Sequence, residues 1–545
     1  MRPGNLRRLI AAAFLLGLTW LPYLAGYARQ SDGWRFGGIL VDELDTNVYL
    51  AAIREGGAGL GRFQLLFTPE RGDPLFIYTV YLWGGRLLGW TGLAPLALYH
   101  LLRSLSALAV LLALFAFVRA FVRQRRGWWP AYWLATLAGG TGWLVLLVAP
   151  PAEGGVSPIE FWLMDGFTFF SLLLFPHFAL AYLLLVGVTL AMHAHFRDGN
   201  RRSLGLAWLW TSLLFAVNPK LLPLVATTLA LTVLLIGLRT RQAPWSRMRS
   251  LVLLGLALLP WALLYGLALQ RSPVLNQLVR QDVTVSPPPF HYLSGWGLLW
   301  PLAALGAWRL WRRSRQAPAQ LILVAWPLAA ILTAYLPFQS NRRMVTGLQL
   351  PLATLAAIGL MGVVLPWVYR GGLARRLARR GYPRRRLAQF AATTLVAATL
   401  PSTLFLLLSL GLAAFSPGPP LFYPADTFRA ESWLGQNRLD ATTVLSSVEV
   451  GNRLPARTGQ RVVLGHWNLT LGFDRKQSEV STFFDEKTPD LERAALLRRY
   501  GVDLLYYGPD EQKLGGFDPA AAPYLSPVYQ AGDITLYRVI PEALP

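Results

Sequence analysis

The sequence predicts a polytopic α-helical membrane protein that carries a small α/β domain at its C-terminal end. Of its 545 residues, 54% are hydrophobic and only 14% are charged. The mean hydropathy of +0.40 is too high for an ordinary soluble protein. Apolar stretches of about 20 residues, the length that crosses a bilayer, recur up to residue 415. We therefore predict a transmembrane domain over residues 1–415 and a soluble domain over residues 416–545.

We predict about 11 transmembrane helices, with the N-terminus in the cytoplasm and the C-terminus outside it. Six short clusters of arginines separate the apolar stretches, and all six fall on one side in this topology. Such clusters mark the cytoplasmic loops of membrane proteins. The protein is therefore predicted to cross the cytoplasmic (inner) membrane many times. The predicted spans are 9–27, 93–118, 128–149, 168–192, 203–217, 221–238, 250–270, 293–308, 319–337, 344–369 and 387–415.

The composition also excludes several classes of function. The formal net charge is +23, and 47 of the 51 basic residues are arginine. Because the arginines cluster in loops between membrane spans, the charge indicates membrane orientation and no nucleic acid partner. The chain has no cysteine, which excludes disulfides, thiolate nucleophiles and thiolate metal sites.

The C-terminal tail has a different composition from the membrane domain. It contains 13 basic and 16 acidic residues. A helix is predicted from Pro489 to Tyr500, because its apolar residues have helical spacing and proline suits a first turn. Four segments rich in β-branched and aromatic residues predict strands, so the tail is expected to be a small extracytoplasmic α/β domain. These segments are Thr442–Val450, Gln460–Leu464, Val502–Tyr507 and Ile534–Val539.

The first predicted outer loop, residues 28–92, contains three acids close together, Asp42, Glu43 and Asp45. Carboxylates beside a bilayer are costly and usually functional. Asp42, Asp45 and Tyr49 follow the spacing i, i+3, i+7, so a helix would direct all three to one side. The alternative is that Asp42 or Asp45 only caps a short helix.

A carboxylate in this loop suits the general base of a glycosyltransferase. Sugar transfer from a polyprenyl phosphate needs a base for the acceptor hydroxyl and cations for the departing phosphate. Lys220 is the only lysine before residue 476, and Pro219 interrupts the helix beside it. Arg342 and Arg343 lie in a predicted outer loop, against the positive-inside rule, and guanidinium groups bind phosphate in paired hydrogen bonds. The alternative for all three cations is that they extend to lipid headgroups.

Other polar residues are predicted to line the substrate cavity, namely Tyr49, Glu70, Arg71, Asp165 and His177. His177 lies inside a predicted span, where ionisable groups are functional candidates, but a neutral core histidine with a hydrogen-bond partner explains it equally well. An exposed ion pair within the loop is the alternative for Glu70 and Arg71.

No metal or other cofactor is predicted. His193 and His195 have a spacing that suits metal ligands, but they lie at the cytoplasmic end of a predicted helix and are interpreted as an interfacial pair. The three first-loop acids also offer the oxygen ligands that divalent cations prefer, so a metal there is kept as an alternative.

The pattern of many spans, first-loop acids and a C-terminal outer α/β domain resembles the GT-C superfamily of polyprenyl-phosphate-sugar-dependent glycosyltransferases. Protein O-mannosyltransferases and lipid A aminoarabinose transferases belong to that group. Asp42-Glu43 matches the Asp-Glu pair that these enzymes carry in the first loop, while Asp45 keeps the Asp-to-Tyr49 spacing of bacterial members. The resemblance therefore leaves either aspartate as the base. The Trp-Trp-Asp tripeptide of oligosaccharyltransferases does not occur, which argues against transfer of a preassembled glycan to asparagine.

The resemblance implies an inverting displacement at the outer face of the cytoplasmic membrane. It implies a lipid-linked monosaccharide donor and places Lys220, Arg342 and Arg343 at the donor phosphate. The acceptor is expected to be a lipid, a glycan or a protein, and membrane lipids surround the chain. Two alternatives are kept, a transporter or flippase of a lipid-linked saccharide and an outer-face polysaccharide polymerase or ligase. Transporters usually place ionisable groups at the bilayer midplane and often have matching halves, whereas here the acids lie at one face.

Overall fold

The computed structural model describes residues 3–148, 150, 156–372, 376, 379–380, 382–437 and 442–545. Residue 149 of the predicted span 128–149 and parts of the last of the six arginine clusters, between Arg370 and Arg386, lie outside the described residues. The chain forms two compact units. The first unit comprises Met1–Leu21, Arg103–Gly266 and Val283–Leu410, and the second comprises Pro22–Leu102, Leu267–Asp282 and Gly411–Pro545.

Helices dominate the described residues up to residue 413. In chain order they are Pro3–Ala28, Glu43–Gly57, Thr79–Leu88, Pro95–Phe121, Trp128–Leu137, Gly142–Val148, Thr168–Leu173, Pro176–Asp198, Arg201–Val217, Leu222–Thr240, Trp245–Arg271, Pro273–Gln281, Pro289–Trp296, Leu299–Arg313, Ile322–Ala334, Gln349–Gly359, Leu365–Arg370, Arg384–Thr399 and Pro401–Ala413. Five further helices follow in the described part of the tail, Ala425–Gln436, Val448–Thr458, Phe473–Phe484, Asp490–Tyr500 and Pro509–Gln512.

The prediction of a polytopic helical membrane protein is confirmed, but the count of 11 spans is not. Within the described residues, 6 helices are long and apolar enough to cross a membrane, or up to 8 if each of two bent helix pairs forms one span. Every predicted span overlaps one of the helices or helix pairs. The other predicted spans contain only helices that are too short to cross a membrane, because a helix ends where the apolar pattern of the sequence continues. The predicted span 293–308, for example, is divided between the helices Pro289–Trp296 and Leu299–Arg313.

The tail folds around a five-stranded mixed sheet. Its strands are Thr443–Leu445 (β3), Arg461–Val462 (β4), Leu504–Tyr507 (β5), Leu525–Ala531 (β6) and Ile534–Val539 (β7). Their order is β4-β3-β5-β7-β6, with β3 parallel to β4 and β5, and β7 antiparallel to β5 and β6. Two buried apolar clusters include residues of these strands. The small α/β tail that the sequence predicts is therefore present.

The structure of the tail differs from the prediction in two places. The predicted strand Thr442–Val450 ends at Leu445, because the hydroxyl of Ser447 accepts a hydrogen bond from the backbone of Val450 and starts a helix there. Strand β6 was not predicted from the sequence. It contains Pro527, which lacks the N–H donor of a ladder, and it lies at the edge of the sheet, where proline is tolerated.

The second unit also contains the first loop. A two-stranded antiparallel ladder joins Trp34–Phe36 (β1) to Phe422–Pro424 (β2) of the tail. The helix Glu43–Gly57, called the first-loop helix below, packs on Thr79–Leu88. The contact requires glycine, since a Cβ at Gly56 would lie 1.9 Å from the carbonyl oxygen of Leu82. Close backbone packing thus fixes the first-loop helix.

The buried carboxyl group of Glu55 is expected to make the stability of the protein depend on pH. Glu55 is 6% exposed as a residue, and its Oε2 accepts a hydrogen bond of 2.7 Å from the backbone N–H of Gln64. Burial raises its pKa to about 8. The folded state therefore keeps a proton that the unfolded chain loses above pH about 4.5, so stability falls as the pH rises from about 4.5 to about 8.

We expect the thermal unfolding midpoint of the detergent-solubilised protein to decline over this pH range, and Glu55→Gln to flatten the decline because the amide stays neutral. Glu492→Gln, at an exposed position, is the matched control and should keep the wild-type slope. An unchanged slope in Glu55→Gln would contradict the prediction.

Candidate active site

The first-loop helix begins at the predicted acids. Asp42 is its N-cap, and Oδ1 of Asp42 accepts a hydrogen bond of 3.3 Å from the backbone N–H of Asp45. N-cap residues usually have extended backbone angles, whereas Asp42 lies in the left-handed region at φ 53° and ψ 60°. Aspartate tolerates this region better than most residues. The carboxylate of Asp42 therefore has a structural task at the start of the helix.

Glu43 contacts the C-terminal tail. Its Oε2 accepts a hydrogen bond of 2.5 Å from the hydroxyl of Tyr423, and its Oε1 lies 3.5 Å from Nδ2 of Asn47. Arg453 lies over the Tyr423 ring at 4.4 Å and forms a buried ion pair of 3.2 Å with Glu431. Burial raises the pKa of Glu43, and these donors and charges offset only part of that rise. Glu43 is thus part of the packing between the first loop and the tail.

Asp45 has different surroundings from its two neighbours. Its Oδ1 lies 2.9 Å from Nε2 of His466, and its Oδ2 lies 3.5 Å from the hydroxyl of Tyr49. The Asp45 side chain is 34% exposed, while the His466 side chain is only 3% exposed. The structure thus places a partly exposed carboxylate against a buried imidazole from the tail.

Tyr49 completes this part of the site. It is one helical turn beyond Asp45, and its ring stacks on Tyr81 at 4.3 Å with an interplanar angle of 8°. Burial raises the pKa of Tyr49 well above its usual value, and the nearby Asp45 adds to the rise. Tyr49 is therefore a neutral hydrogen-bond donor.

His466 was not predicted from the sequence. It lies in the loop after β4, 421 residues from Asp45, so no local pattern connects the two. The only sequence signal is that His466 is the single histidine of the tail.

Glu70 is paired with a residue of the tail. Nζ of Lys476 donates to Oε2 of Glu70 at 2.6 Å and to Oγ1 of Thr68 at 2.9 Å. The Lys476 side chain is fully buried, and burial lowers its pKa. Burial alone would raise the pKa of Glu70, but the bonds from Lys476 and Thr68 outweigh it and lower that pKa. Glu70 thus neutralises a buried cation, and Arg71 beside it is exposed.

The first unit brings other predicted residues together. Asp165 is buried, and its Oδ2 accepts a hydrogen bond of 2.9 Å from the hydroxyl of Thr346 and lies 3.4 Å from Nη1 of Arg343. The guanidinium of Arg343 also lies over the ring of Phe178, at 5.5 Å. His177 contacts the same ring, with centroids 4.3 Å apart. Asp165, Arg343 and His177 are therefore neighbours.

The predicted cations lie in two adjacent turns of the first unit. Lys220 lies in the 3₁₀ turn Pro219–Leu221, and Arg342 and Arg343 lie in the 3₁₀ turn Asn341–Val345. These turns contact each other. We call Lys220, Arg342 and Arg343 the cationic cluster. Three positive side chains around one contact can bind an anion such as a phosphate.

The predicted site residues are therefore divided between the two units. Asp42, Glu43, Asp45, Tyr49, Glu70 and Arg71 lie in the second unit, and Lys220, Arg342, Arg343, Asp165 and His177 lie in the first. In the described ranges, no group of three or more His, Cys, Asp or Glu residues is arranged to hold a metal ion.

His193 and His195 have partners of their own within the first unit. Nδ1 of His193 lies 3.1 Å from the carbonyl oxygen of Ala319. His195 contacts the carbonyl oxygen of Asn200 and the hydroxyl of Ser250.

Comparison with known proteins identifies similar solved structures. No protein-family model matches the chain, and no curated protein sequence matches it either. The apo oligosaccharyltransferase of Archaeoglobus fulgidus is similar at a TM-score of 0.53 and 13% identity, over 93% of this chain and 70% of that one. The complex of that archaeon's oligosaccharyltransferase AglB with an inhibitory peptide and a dolichol-phosphate is similar at 0.51 and 12%, over 96% and 74%.

A bacterial structure matches along nearly the whole of both chains. ArnT from Cupriavidus metallidurans bound to undecaprenyl phosphate has a TM-score of 0.52 and 14% identity, over 98% of this chain and 99% of that one. At such low identity the likeness concerns the fold. The chain therefore has a GT-C-like fold, the fold of membrane glycosyltransferases such as AglB and ArnT.

Proposed function

We propose that the protein is a membrane glycosyltransferase that moves a sugar from a polyprenyl-phosphate donor to an acceptor hydroxyl. The observation that carries this proposal is the environment of Asp45 within a GT-C-like fold. A partly exposed carboxylate that a buried histidine holds in place suits general-base catalysis. Asp42 is the weaker candidate for the base, because its carboxylate caps the first-loop helix.

In the proposed reaction the acceptor oxygen forms a bond to the anomeric carbon while the bond from that carbon to the phosphate oxygen breaks. Asp45 takes the proton of the acceptor hydroxyl, and the bonding electrons leave with the polyprenyl phosphate. The configuration at the anomeric carbon is inverted. Phosphate is a stable anion, so the leaving group needs positive charge and no strong acid.

The cationic cluster is the proposed ligand of the donor phosphate. Guanidinium groups bind phosphate oxygens in paired, charge-assisted hydrogen bonds, and Arg342 and Arg343 are adjacent in one turn. Lys220 in the contacting turn adds a compact charge. The lipid phosphates held by similar solved structures, dolichol-phosphate and undecaprenyl phosphate, support a polyprenyl carrier.

We further propose that transfer occurs at the outer face of the cytoplasmic membrane. The arginine clusters support a cytoplasmic N-terminus, an extracytoplasmic tail and about 11 passes through the membrane, some of them by short or broken helices. The sugar is a hexose or a pentose, and the acceptor is a lipid, a glycan or a protein.

The test is reconstitution of the full chain in liposomes with a panel of synthetic polyprenyl-phosphate hexoses and pentoses, and with a bacterial envelope extract as the source of acceptor. We expect release of free polyprenyl phosphate together with transfer of labelled sugar to the extract. Movement of an intact donor across the bilayer without release would identify a flippase and overturn the proposal. Absence of both release and transfer across the panel would also count against it.

A further inference from the structure

We propose that His466 of the C-terminal tail is a positioning residue for the catalytic carboxylate of Asp45. This inference rests on the proposed function. It gives the tail a role in the chemistry, because a residue of the tail then determines the orientation of a base in the first loop. His466 acts through Asp45 and is not required to touch the substrate.

The hydrogen bonds of the imidazole determine its tautomer. Nδ1 of His466 lies 3.1 Å from the backbone nitrogen of Asn468, and a backbone N–H can only donate. Nδ1 is therefore the acceptor, and in the neutral ring the proton is on Nε2. Nε2 faces Oδ1 of Asp45 at 2.9 Å, so His466 donates to the carboxylate. The same backbone bond that orients the ring also makes Nε2 the donor.

The loop around His466 is held by several bonds to the first loop. The hydroxyl of Thr470 donates to the carbonyl oxygen of Phe67 at 2.7 Å and accepts from the backbone of Gly465 at 3.0 Å. The backbone of Leu471 donates to the hydroxyl of Thr68 at 3.3 Å. Because the ring is also 97% buried by its surroundings, its position is fixed before any substrate binds.

A fixed donor has two effects on Asp45. It holds one carboxylate oxygen in a defined direction, and a misplacement of about 1 Å in a reacting group can cost about 100-fold in rate. It also stabilises the charged form that accepts a proton. Among the described residues of this unit, the other titratable groups that interact with the Asp45 carboxylate are Tyr49, one turn further along the first-loop helix, and Tyr78, just before the next helix; Asp42 lies before the helix as its N-cap.

The experiment compares His466→Leu with His466→Gln in the full chain, with transfer from a polyprenyl-phosphate sugar as the readout. Leucine removes the donor, so we expect kcat to fall by roughly 10- to 100-fold with little change in the donor KM. The acid limb of the kcat/KM profile should move to higher pH, since the carboxylate loses a bond to its charged form. Glutamine supplies an N–H near the position of Nε2 and should restore most of both properties.

Thr458→Val, elsewhere in the tail, is the matched control for a purely structural role. It removes two hydrogen bonds of a buried hydroxyl, to the carbonyl oxygen of Leu454 and from the backbone N–H of Gln460, and leaves the loop around His466 unchanged. We expect it to lower the unfolding midpoint without moving the pH profile. A wild-type pH profile and kcat in His466→Leu would overturn the proposal, and so would a failure of glutamine to restore activity in a folded protein.

Asp45→Asn measured in parallel separates this inference from the proposed function. If Asp45→Asn is inactive while His466→Leu behaves like the wild type, only the positioning role fails. If Asp45→Asn is fully active, the base assignment itself fails. If Asp45 is the base and His466 positions it, the double variant Asp45→Asn/His466→Leu should be no slower than Asp45→Asn alone. The effects of substituting residues that act as one unit do not add.

Discussion

Replacement of Asp45 by asparagine is expected to reduce sugar transfer by about 10²- to 10⁴-fold, the usual contribution of a general base. The side chains have nearly the same shape, and the amide oxygen can still accept the hydrogen bond from His466. The amide nitrogen cannot take the proton of an acceptor hydroxyl. The loss should therefore appear in kcat, with the unfolding midpoint and the donor KM close to those of the wild type.

Asp42→Asn is the matched control, since it makes the same chemical change three residues earlier. Asparagine caps helices as well as aspartate does and tolerates the left-handed conformation that Asp42 adopts. We expect this variant to remain folded and to keep most of its turnover. The opposite result, an inactive Asp42→Asn and an active Asp45→Asn, would move the base to Asp42. Full activity in both variants would contradict a first-loop base altogether.

Local sequence patterns identified the acids but not their separate tasks. The spacing of Asp42, Asp45 and Tyr49 predicted one helical face, and the helix is present. It begins at Glu43, however, so Asp42 lies outside it as the cap, while Asp45 and Tyr49 share a face one turn apart. A shift of one residue at a helix start, within the normal uncertainty of such boundaries, is enough to separate the two aspartates.

The partners from the tail could not be predicted in the same way. His466, Tyr423 and Lys476 each contact a first-loop acid about 380 to 421 residues away in sequence. Such contacts depend on how the sheet and helices of the tail pack, and no periodicity or spacing rule reaches that far. Only their residue types gave a hint, since a histidine and a buried lysine need partners.

The resemblance places the three cations of the cationic cluster at one donor phosphate, but the sequence does not predict the contact between the two turns that carry them. The sequence indicates Lys220 because it is the only lysine before residue 476, and Arg343 because it lies on the disfavoured side of the membrane. The contact between the two turns depends on how the helices pack, and so does the ion pair between Arg343 and buried Asp165. Neither can be predicted from local sequence. Asp165 was expected in the substrate cavity, and in the structure it pairs with Arg343, another predicted site residue.

Loss of the arginine pair is the second large expected effect, and it should appear in donor binding. A hydrogen bond to a charged group contributes about 1.5–3 kcal/mol, so Arg342→Gln should weaken the binding of polyprenyl phosphate by about 10- to 100-fold. The measurement is titration of the purified protein with short-chain polyprenyl phosphate at low and high salt. The loss should be larger at low salt, because exposed charges are screened.

The role of Arg343 is best tested with a double variant, because removal of Arg343 alone leaves the buried carboxylate of Asp165 without this cation. Breaking such a pair is usually strongly destabilising. The double variant Arg343→Gln/Asp165→Asn removes both charges, and the amide of residue 165 keeps an acceptor for the hydroxyl of Thr346. We therefore expect a folded protein with weak binding of polyprenyl phosphate, whereas Asp165→Asn alone should bind it at least as well as the wild type. Wild-type binding by both Arg342→Gln and the double variant would show that the arginines serve only the packing of the turn.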